Sequence, residues 1–513
     1  MNAKTVMNAK TAMSLKKVSN TLASAVFAAL LSNAALAIDG NEQQVLQLAS
    51  SGNTAAALKM VGPKTDVNQS QADGTTALHW AIYYNDVELV KKLVKQGADV
   101  KAKNEFGATP MSQAATAGNV EVLKALLEAG VKADEAGPDD QTPLMVIART
   151  PNVKAAELLI KNGADVNHVE KWRGQTALMW AAAQKQPAML QLLLDKGAKV
   201  NARSLPNNWE RQVTAEPRMK ILPAGGFTAL LYAAREGCAE CVTKLIKAGA
   251  DLNLPDPDGV TPLVMAGLNA RWDSMKLLLE AGANPDKWDV YGRNPLYMVT
   301  DYSTLPHGGR ADKLSDDLTT PLQVAELILA KGGNPNLQLK LFPPYRALGP
   351  DRGADGLLKT GVTSLFRAAR GGDAPMTELL LKNKALVDLP NEDGVTPLIV
   401  GAGYRAGAID TRGKFRTEKQ AMEVVKKLLE AGADINASES FGQTAAFGAA
   451  TNGWNNMVQL LADKGADLTH KDNGGKTPLD AAMGKAGQFG RGSGSDPHPD
   501  TAALIEKLVA AKK

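Results

Sequence analysis

A short marker, Thr followed by Pro or Ala and then Leu, recurs through this 513-residue chain and constrains its fold more than any other feature. Counting close variants, it begins at Thr76, Thr109, Thr142, Thr176, Thr228, Thr261, Asn294, Thr363, Thr396, Thr444 and Thr477. Six of the ten steps between successive markers are 33 residues long, and one is 34. A fixed period of this length is typical of a repeat architecture, in which one small unit is stacked many times.

One copy of the repeat, residues 73–100, reads "DGTTALHWAIYYNDVELVKKLVKQGADV". The marker Thr can cap a short helix, and Pro, which follows it in other copies, suits the first helical turn. The segment "DVELVKKLV" spaces its apolar residues for one face of a second helix, and Gly97 can end that helix with a positive φ. Since two such short helices cannot bury their apolar faces alone, we expect each unit to stack on its neighbours.

A second marker, of the type "GADVN", follows the first in most copies, as at Gly97, Gly163, Gly249 and Gly432. Together the two markers resemble the ankyrin repeat, whose signature combines T-P-L-H with L-L-x-x-G-A-D-V-N. The resemblance extends over about residues 41–513. It implies an all-α solenoid of about twelve helix-turn-helix units with hairpin-like loops. Four of the units carry inserts.

The same pattern predicts the domain organisation. We assign residues 1–37 to a Sec-type signal peptide and 38–72 to an irregular N-terminal capping repeat. Repeats 2–8 occupy 73–339, with inserts near 203–226 and 301–320, and an insert loop occupies 340–360. Repeats 9–11 occupy 361–472, with an insert near 404–420, and a C-terminal capping repeat with a Gly-rich insert occupies 473–513.

The first 37 residues have the pattern of an export signal. The basic stretch "MSLKK" precedes an 11-residue apolar stretch, Thr21–Leu31, and "ALA" before Ile38 suits signal cleavage. A buried N-terminal helix is the alternative interpretation. The apolar stretch is too short to span a bilayer, and no other segment approaches 18 consecutive apolar residues. We therefore expect a periplasmic or secreted protein of bacterial type without a transmembrane segment after processing.

Charge argues against nucleic acid as a partner. The formal net charge of +4 comes from four lysines in the first 37 residues, which contain no acidic residue. The remainder has 54 basic and 54 acidic side chains, and a neutral chain offers no broad phosphate-binding surface.

Motifs for catalysis, metals and cofactors are missing from the sequence. We find no G-x-S-x-G, H-E-x-x-H, Walker A or dinucleotide fingerprint, and the five histidines do not cluster. His79 matches the T-P-L-H position, where the resemblance implies a structural hydrogen bond. The sequence therefore predicts a non-enzymatic protein without cofactor or metal.

The resemblance implies that a partner is bound by a concave face made of hairpin tips and first-helix ends. Aromatic and Arg residues at those places are candidate contacts, because they are enriched in interface hot spots. They are Tyr83, Tyr84, Phe106, Arg149, Trp172, Arg173, Phe227, Arg235, Tyr291, Arg293, Arg370 and Phe441. The alternative for each tip aromatic is packing on the neighbouring tip.

The inserts are the second candidate surface, because insertions in solenoids form loops and often carry recognition. Their aromatic and basic residues are Trp209, Arg211, Tyr345, Arg346, Tyr404, Arg405 and Phe415. These residues either contact a partner or anchor the loops on the repeats.

The only two cysteines, Cys238 and Cys241, have C-x-x-C spacing at the start of a second helix. Three interpretations remain open: packing thiols, a disulfide formed after export, or a redox site. A zinc site would need two further ligands nearby.

The sequence thus favours an exported, non-enzymatic scaffold that binds a protein of the cell envelope. The alternatives are an envelope redox or disulfide module using Cys238 and Cys241, and a secreted effector that binds host proteins.

Overall fold

The computed structural model describes residues 41–207, 225–303, 316–341, 356–406, 416–485 and 496–511. Their internal contacts divide the chain into two compact units, one ending at Gln113 and one beginning at Ala114. In the described residues the regular elements are helices, with three isolated β-bridges between extended residues. The all-α prediction is therefore confirmed.

In the part of the chain that the structure describes, the helices form twelve pairs, which agrees with the prediction of about twelve repeats. The first unit contains α1 (Asn41–Ser50), α2 (Thr54–Met60), α3 (Ala77–Tyr83) and α4 (Val87–Lys95), and α5 (Pro110–Ala117) contains the boundary. Each odd-numbered helix is the first of its repeat, and each even-numbered helix is the second.

The second unit continues the same alternation. Its helices are α6 (Val120–Glu128), α7 (Pro143–Ile147), α8 (Val153–Lys161), α9 (Ala177–Ala183), α10 (Pro187–Asp195), α11 (Ala229–Glu236), α12 (Ala239–Lys247), α13 (Pro262–Leu268), α14 (Trp272–Glu280), α15 (Pro295–Ser303), α16 (Pro321–Ala330), α17 (Ser364–Gly371), α18 (Ala374–Lys382), α19 (Pro397–Gly401), α20 (Glu418–Glu430), α21 (Ala445–Thr451), α22 (Asn455–Asp463), α23 (Pro478–Ala482) and α24 (Pro499–Ala511). A 3₁₀ turn, Pro138–Asp140, precedes α7.

The marker Thr forms the helix cap that the sequence predicts. In α3 the Thr76 hydroxyl accepts from the backbone N–H of His79, and the His79 ring bonds back to Thr76. Burial lowers the pKa of His79, and its other ring nitrogen lies 3.3 Å from the Ala108 carbonyl. The histidine therefore joins its helix to the following hairpin, as the resemblance implied.

Stacking of like helices on like helices builds the core of the second unit. Each first helix from α7 to α23 packs on the first helix of the next repeat, and the second helices from α6 to α24 do the same. The contact between α15 and α17 shows that stacking continues across the double insertion of the eighth repeat. Small residues such as Ala181, Ala233 and Ala368 are fully buried on these faces.

A ladder of side-chain hydrogen bonds joins neighbouring repeats along the loops that follow the second helices. Asn167 is a typical rung: its Oδ1 accepts from the Lys199 N–H, and its Nδ2 donates to the Gly197 carbonyl, at 2.8 and 3.0 Å. Asn68, Asn201 and Asn336 make the same two bonds within their own units. At Asp134, Asp286 and Asp388 an acid takes the place of the amide and accepts the N–H bond.

The predicted leader lies outside the described residues, as do the central parts of all the inserts. The ends of the inserts are described. At the fifth repeat, Ser204 donates its N–H to the Phe227 carbonyl and Phe227 donates to the Ser204 hydroxyl, closing the neck of the insert. At the eighth repeat, Leu339 and Val362 close a similar neck.

Candidate protein-binding surface

Hairpin tips precede the first helices, and in the tip before α9 one buried carboxylate binds several backbone N–H groups. Glu170, only 3% exposed, accepts from the backbone N–H groups of Trp172, Arg173 and Gln175 at 2.7 to 2.9 Å. A carboxylate that accepts several backbone bonds holds a turn in one conformation. The tip is therefore rigid before any partner arrives.

This rigid tip presents a large aromatic side chain to solvent. Trp172 is 68% exposed, and the Arg173 guanidinium lies 4.5 Å from its ring centroid. Trp and Arg contribute strongly to interfaces, and a side chain on a fixed backbone loses less entropy on binding. Trp172 and Arg173, two of the predicted contacts, therefore lie together and exposed.

Two other predicted tip aromatics are exposed, and each lies two residues after the residue that holds its tip, as Trp172 does after Glu170. Phe106 is 65% exposed in the first unit, and Phe441 is 39% exposed in the second. Asn104 and Glu439 hold the backbones of these tips as Glu170 does. Each aromatic immediately precedes the tip glycine, Gly107 or Gly442, and this position points outward.

At two predicted tip contacts the side chain points inward, because each of these residues follows the tip glycine. Phe227 follows Gly226 and is 6% exposed, with its ring packed against Tyr232. Arg293 follows Gly292 and is 8% exposed, bonded to the buried Asp289 carboxylate at 2.6 Å. Neither side chain is available to a partner. Tyr291, before Gly292, is half-buried.

Backbone hydrogen bonds tie successive tips together within each unit. In the second unit, Leu205 donates to the Arg173 carbonyl, Val290 to Asp258, and Asn473 to Phe441. In the first unit, Glu105 donates to the Asp73 carbonyl at 2.8 Å. The tips therefore form rows of fixed spacing, not independent loops.

The end of α3 carries an aromatic cluster in the first unit. The rings of Trp80, Tyr83 and Tyr84 contact each other at centroid distances of 5.1 to 6.2 Å. Tyr83 and Tyr84 are exposed, Trp80 is buried, and the Tyr84 hydroxyl donates to the Ser50 carbonyl. The sequence prediction of exposed Tyr83 and Tyr84 therefore agrees with their position.

The predicted Arg contacts on later first helices are half-buried and bind their own chain. Arg149 stacks on Trp180 at 3.7 Å and donates to Gln141, and burial lowers its pKa. Arg235 pairs with Glu236. Arg370 donates to the carbonyls of Tyr404 and Arg405. These guanidinium groups therefore bind neighbouring parts of their own chain.

Tyr404, predicted as an insert contact, is buried at 5% exposure, and burial raises its pKa. Its ring therefore lies in the interior at the start of the tenth-repeat insert, where the sequence suggested an exposed contact. Arg405 is half-buried, with its guanidinium 5.3 Å from the Tyr404 ring. The remaining predicted insert contacts lie outside the described residues: Trp209, Arg211, Tyr345, Arg346 and Phe415.

The inserts of repeats 8 and 10 are both anchored on repeat 9. Ser303, before the first insert, donates to Asp373 at 2.7 Å. Arg416, after the second, donates to the carbonyls of Ala369 and Arg370. The segment 369–373 therefore receives an end of each insert. Sequence reasoning missed this role of Arg416, because no local pattern distinguishes an Arg that caps a distant helix.

Cys238 and Cys241 form a disulfide across the first turn of α12. Both are buried, and the Cys238 sulfur accepts from the Cys241 N–H where Asp86, Asn152 and Asp373 cap other second helices. In this repeat a disulfide-bonded cysteine therefore takes the place of the Asp or Asn that caps other second helices. The structure gives the two sulfurs a structural position in the core.

The described residues contain no group of three or more His, Cys, Asp or Glu side chains placed to hold a metal ion. Among the same residues, no helix combines the length and apolar character needed to cross a bilayer.

Comparison with known proteins agrees with this fold. A family model described as "Ankyrin repeats (3 copies)" matches residues 45–136, 111–204, 213–302 and 417–489. The chain is 28% identical over 248 residues to human transient receptor potential cation channel subfamily A member 1, covering 48% of this chain and 18% of that protein. It is 29% identical over 254 residues to human ankyrin repeat and SOCS box protein 16, covering 50% and 47%.

A bacterial relative, YahD of Escherichia coli (strain K12), named as an ankyrin repeat protein, is 26% identical over 249 residues, covering 48% of this chain and 99% of its own. The crystal structure of the human ASB11 ankyrin repeat domain aligns with a TM-score of 0.40 and 23% identity, over 47% of this chain and 98% of that one. The chain spans less than half the length of the two human relatives above. Because the family model matches more than half of the residues, this chain belongs to the ankyrin repeat family.

Proposed function

We propose that this chain is an exported, non-enzymatic scaffold that binds a protein partner of the cell envelope through its hairpin tips. Ankyrin repeat proteins are generally protein-interaction scaffolds, and their repeat domains are typically non-catalytic. The observation that carries the proposal is Trp172, an exposed indole on a backbone that the buried Glu170 holds. Such a residue lowers the entropic cost of association and offers a large apolar contact.

In this proposal the exposed side chains of the tips supply the binding energy. The arginines of the first helices hold neighbouring parts of the chain in place. Arg149 and Arg370 bind their own chain and leave the tip row as the accessible part of the surface. Within the second unit, Phe441 is a further exposed tip aromatic in a late repeat, and the first unit has an exposed tip aromatic of its own, Phe106. A partner that contacts several tips would sum modest contributions on a pre-organised surface.

The experiment compares variants of the full chain as baits in envelope extracts. Trp172→Ala removes the exposed tip indole. Leu386→Ala is the matched control, because Leu386 is 55% exposed but lies on the ladder loop of repeat 9. We expect a stoichiometric protein that binds the wild type and Leu386→Ala equally and is lost with Trp172→Ala. Equal loss or equal retention in both variants would contradict the tip assignment.

Export is a separate part of the proposal, and the leader pattern of residues 1–37 supports it. Cell fractionation with N-terminal sequencing tests it. We expect the protein in the periplasm or medium, beginning at Ile38. A cytoplasmic protein with an intact N-terminus would overturn this part. Recovery of the protein bound to host proteins would favour the alternative, a secreted effector.

The redox alternative has less support. Thiolates react when they are accessible, whereas Cys238 and Cys241 are buried and Cys241 is fully so. Thiol labelling of the folded chain, before and after a dithiol reductant, tests this point. We expect no labelling without reductant.

A further inference from the structure

In the ladder between repeats, the acidic rung of Asp388 has a buried oxygen without a hydrogen-bond partner. In four of the Asn rungs, those of Asn68, Asn167, Asn201 and Asn336, the amide oxygen accepts an N–H bond and the amide nitrogen donates to the carbonyl two residues before that N–H. Asn167 bonds Lys199 and Gly197, Asn201 bonds Asp251 and Gly249, and Asn336 bonds Leu386 and Lys384. The register is the same in each rung, so it can be carried to other rungs.

Asp388 occupies this position between repeats 9 and 10. Its Oδ2 accepts from the Asp434 N–H at 3.0 Å, as the register requires. Its Oδ1 stands where an asparagine would carry its donor nitrogen, and it is buried without a hydrogen-bond partner. By the same register, the carbonyl in reach of Oδ1 is that of Gly432. Two acceptors then share a site that needs one donor.

We propose that the joint between repeats 9 and 10 is proton-sensitive: protonated Asp388 donates from Oδ1 to the Gly432 carbonyl and closes the rung. The ionised carboxylate leaves the rung half made and keeps an unpaired buried oxygen beside a carbonyl, which is costly. Protonation converts Asp388 into the equivalent of asparagine. The rung then makes both bonds, like those of Asn167 and Asn336.

The electrostatic surroundings agree with this geometry. The pKa of Asp388 is raised, because burial, together with the Asp434 carboxylate, outweighs the lowering effect of the hydrogen bond from the Asp434 N–H. Asp434 is the charged residue of repeat 10 that faces the group, and its Oδ1 accepts from Asn436. On the side of repeat 9, Lys384 is exposed four residues earlier in the same loop. A raised pKa in the folded chain means that the stabilisation is fully present below the ordinary Asp value and is lost as pH rises through the folded value.

One other acidic rung, that of Asp134, separates this proposal from a general effect of acid residues. Asp134 accepts from the Asp165 N–H with both oxygens, at 3.0 and 2.9 Å, so neither oxygen is left unpaired. Asp134→Asn is therefore the matched control for Asp388→Asn. Both substitutions remove one negative charge and keep the size of the side chain.

The test is hydrogen exchange of the Asp434 amide in the full chain, at pH 7.5 and pH 4, for wild type, Asp388→Asn and Asp134→Asn. Ratios between variants at one pH cancel the intrinsic pH dependence of exchange. At pH 7.5 we expect Asp388→Asn to protect the Asp434 amide about five- to tenfold more than wild type, the effect of one net hydrogen bond. At pH 4 we expect a smaller difference than at pH 7.5, since a larger fraction of wild-type Asp388 is then protonated.

In Asp134→Asn, the Asp434 amide should match wild type at both pH values. Equal protection of wild type and Asp388→Asn at pH 7.5 would overturn the proposal, and so would a gain that persists unchanged at pH 4. The urea midpoints of the same variants give a second readout, in which only Asp388→Asn should gain at pH 7.5.

Discussion

The tips before α9 and α15 are built from the same kinds of residue and end with opposite surfaces. Each has a buried acid at its base, an aromatic residue two positions later, an arginine and a glycine. In the first, Trp172 and Arg173 are exposed. In the second, Arg293 turns inward and bonds the Asp289 carboxylate at 2.6 Å. One tip therefore exposes its arginine to solvent, and the other uses it in an internal ion pair.

The position of the arginine relative to the glycine explains the difference. Arg173 precedes Gly174, whereas Arg293 follows Gly292. The residue after the tip glycine leads back to the helix cap and faces the interior, as Gln175, Val260 and Val395 also do. The comparison teaches that a one-residue shift decides whether the same side chain is exposed to solvent or stabilises the fold.

The strongest way to break the comparison is Arg293→Ala. It leaves the Asp289 carboxylate, 1% exposed, without its cation, and breaking a buried pair in this way costs about 3–5 kcal/mol. We expect a lower midpoint in urea denaturation followed by circular dichroism. An unchanged midpoint would mean that the ion pair adds no more than the exposed arginine of the other tip.

A smaller effect is expected on binding at the exposed tip. Trp172→Ala should weaken partner binding by about 2 kcal/mol, or roughly 30-fold in Kd, because exposed Trp residues on rigid frames act as hot spots. Its unfolding free energy should change by less than about 0.5 kcal/mol. Titration calorimetry and denaturation on the same samples separate the two effects, and a large loss of stability would contradict the division of roles.

A third tip, before α13, sharpens the comparison because its buried acid pairs with no cation among the described residues. Asp256 accepts from the Asp258 and Val260 N–H groups, and burial raises its pKa to about 6. The folded value exceeds 3.8, so the associated stability is present below that pH and is lost as pH rises through about 6. Asp256→Asn should then be more stable than wild type by about 1–2 kcal/mol at pH 8, and nearly equal at pH 4.

The control for that prediction is present in the chain, because Asn104 and Asn391 make the same bonds at their own tips. An amide is thus compatible with the site. If the difference between Asp256→Asn and wild type were the same at pH 4 and pH 8, the ionisation of Asp256 would not be its cause.

The smallest effect is expected from Arg173→Ala, the same substitution as Arg293→Ala at the other tip. Arg173 is exposed and its side chain contacts Trp172 through the guanidinium. We expect a change in unfolding free energy within about 0.5 kcal/mol. A loss comparable to that of Arg293→Ala would remove the contrast between the two tips.

The helices and their caps could be predicted from sequence because their causes are local. Thr142 and Thr261 are followed by Pro-Leu, and both hydroxyls accept from the third helical N–H as predicted. The number of repeats followed from the period alone. The exposed tip residues could be predicted where they precede the glycine, as with Phe106 and Trp172.

What could not be predicted depends on contacts between repeats. Arg416 binds carbonyls 46 and 47 residues away, and Tyr302 donates to the Leu268 carbonyl 34 residues away. Both satisfy groups at the C-terminal ends of helices in other repeats, which a local pattern does not encode. The inward positions of Phe227 and Arg293 could not be predicted from residue type alone, because they depend on the side of the glycine on which each residue lies.

The ladder has one more consequence. The rung from Asn167 to Lys199 spans 32 residues, whereas those from Asn201 to Asp251 and from Asn336 to Leu386 each span 50. The geometry is nevertheless the same, so the spacing is measured in repeats and is indifferent to chain length. A loop can therefore gain many residues during evolution without changing the hydrogen bonds that hold neighbouring repeats together.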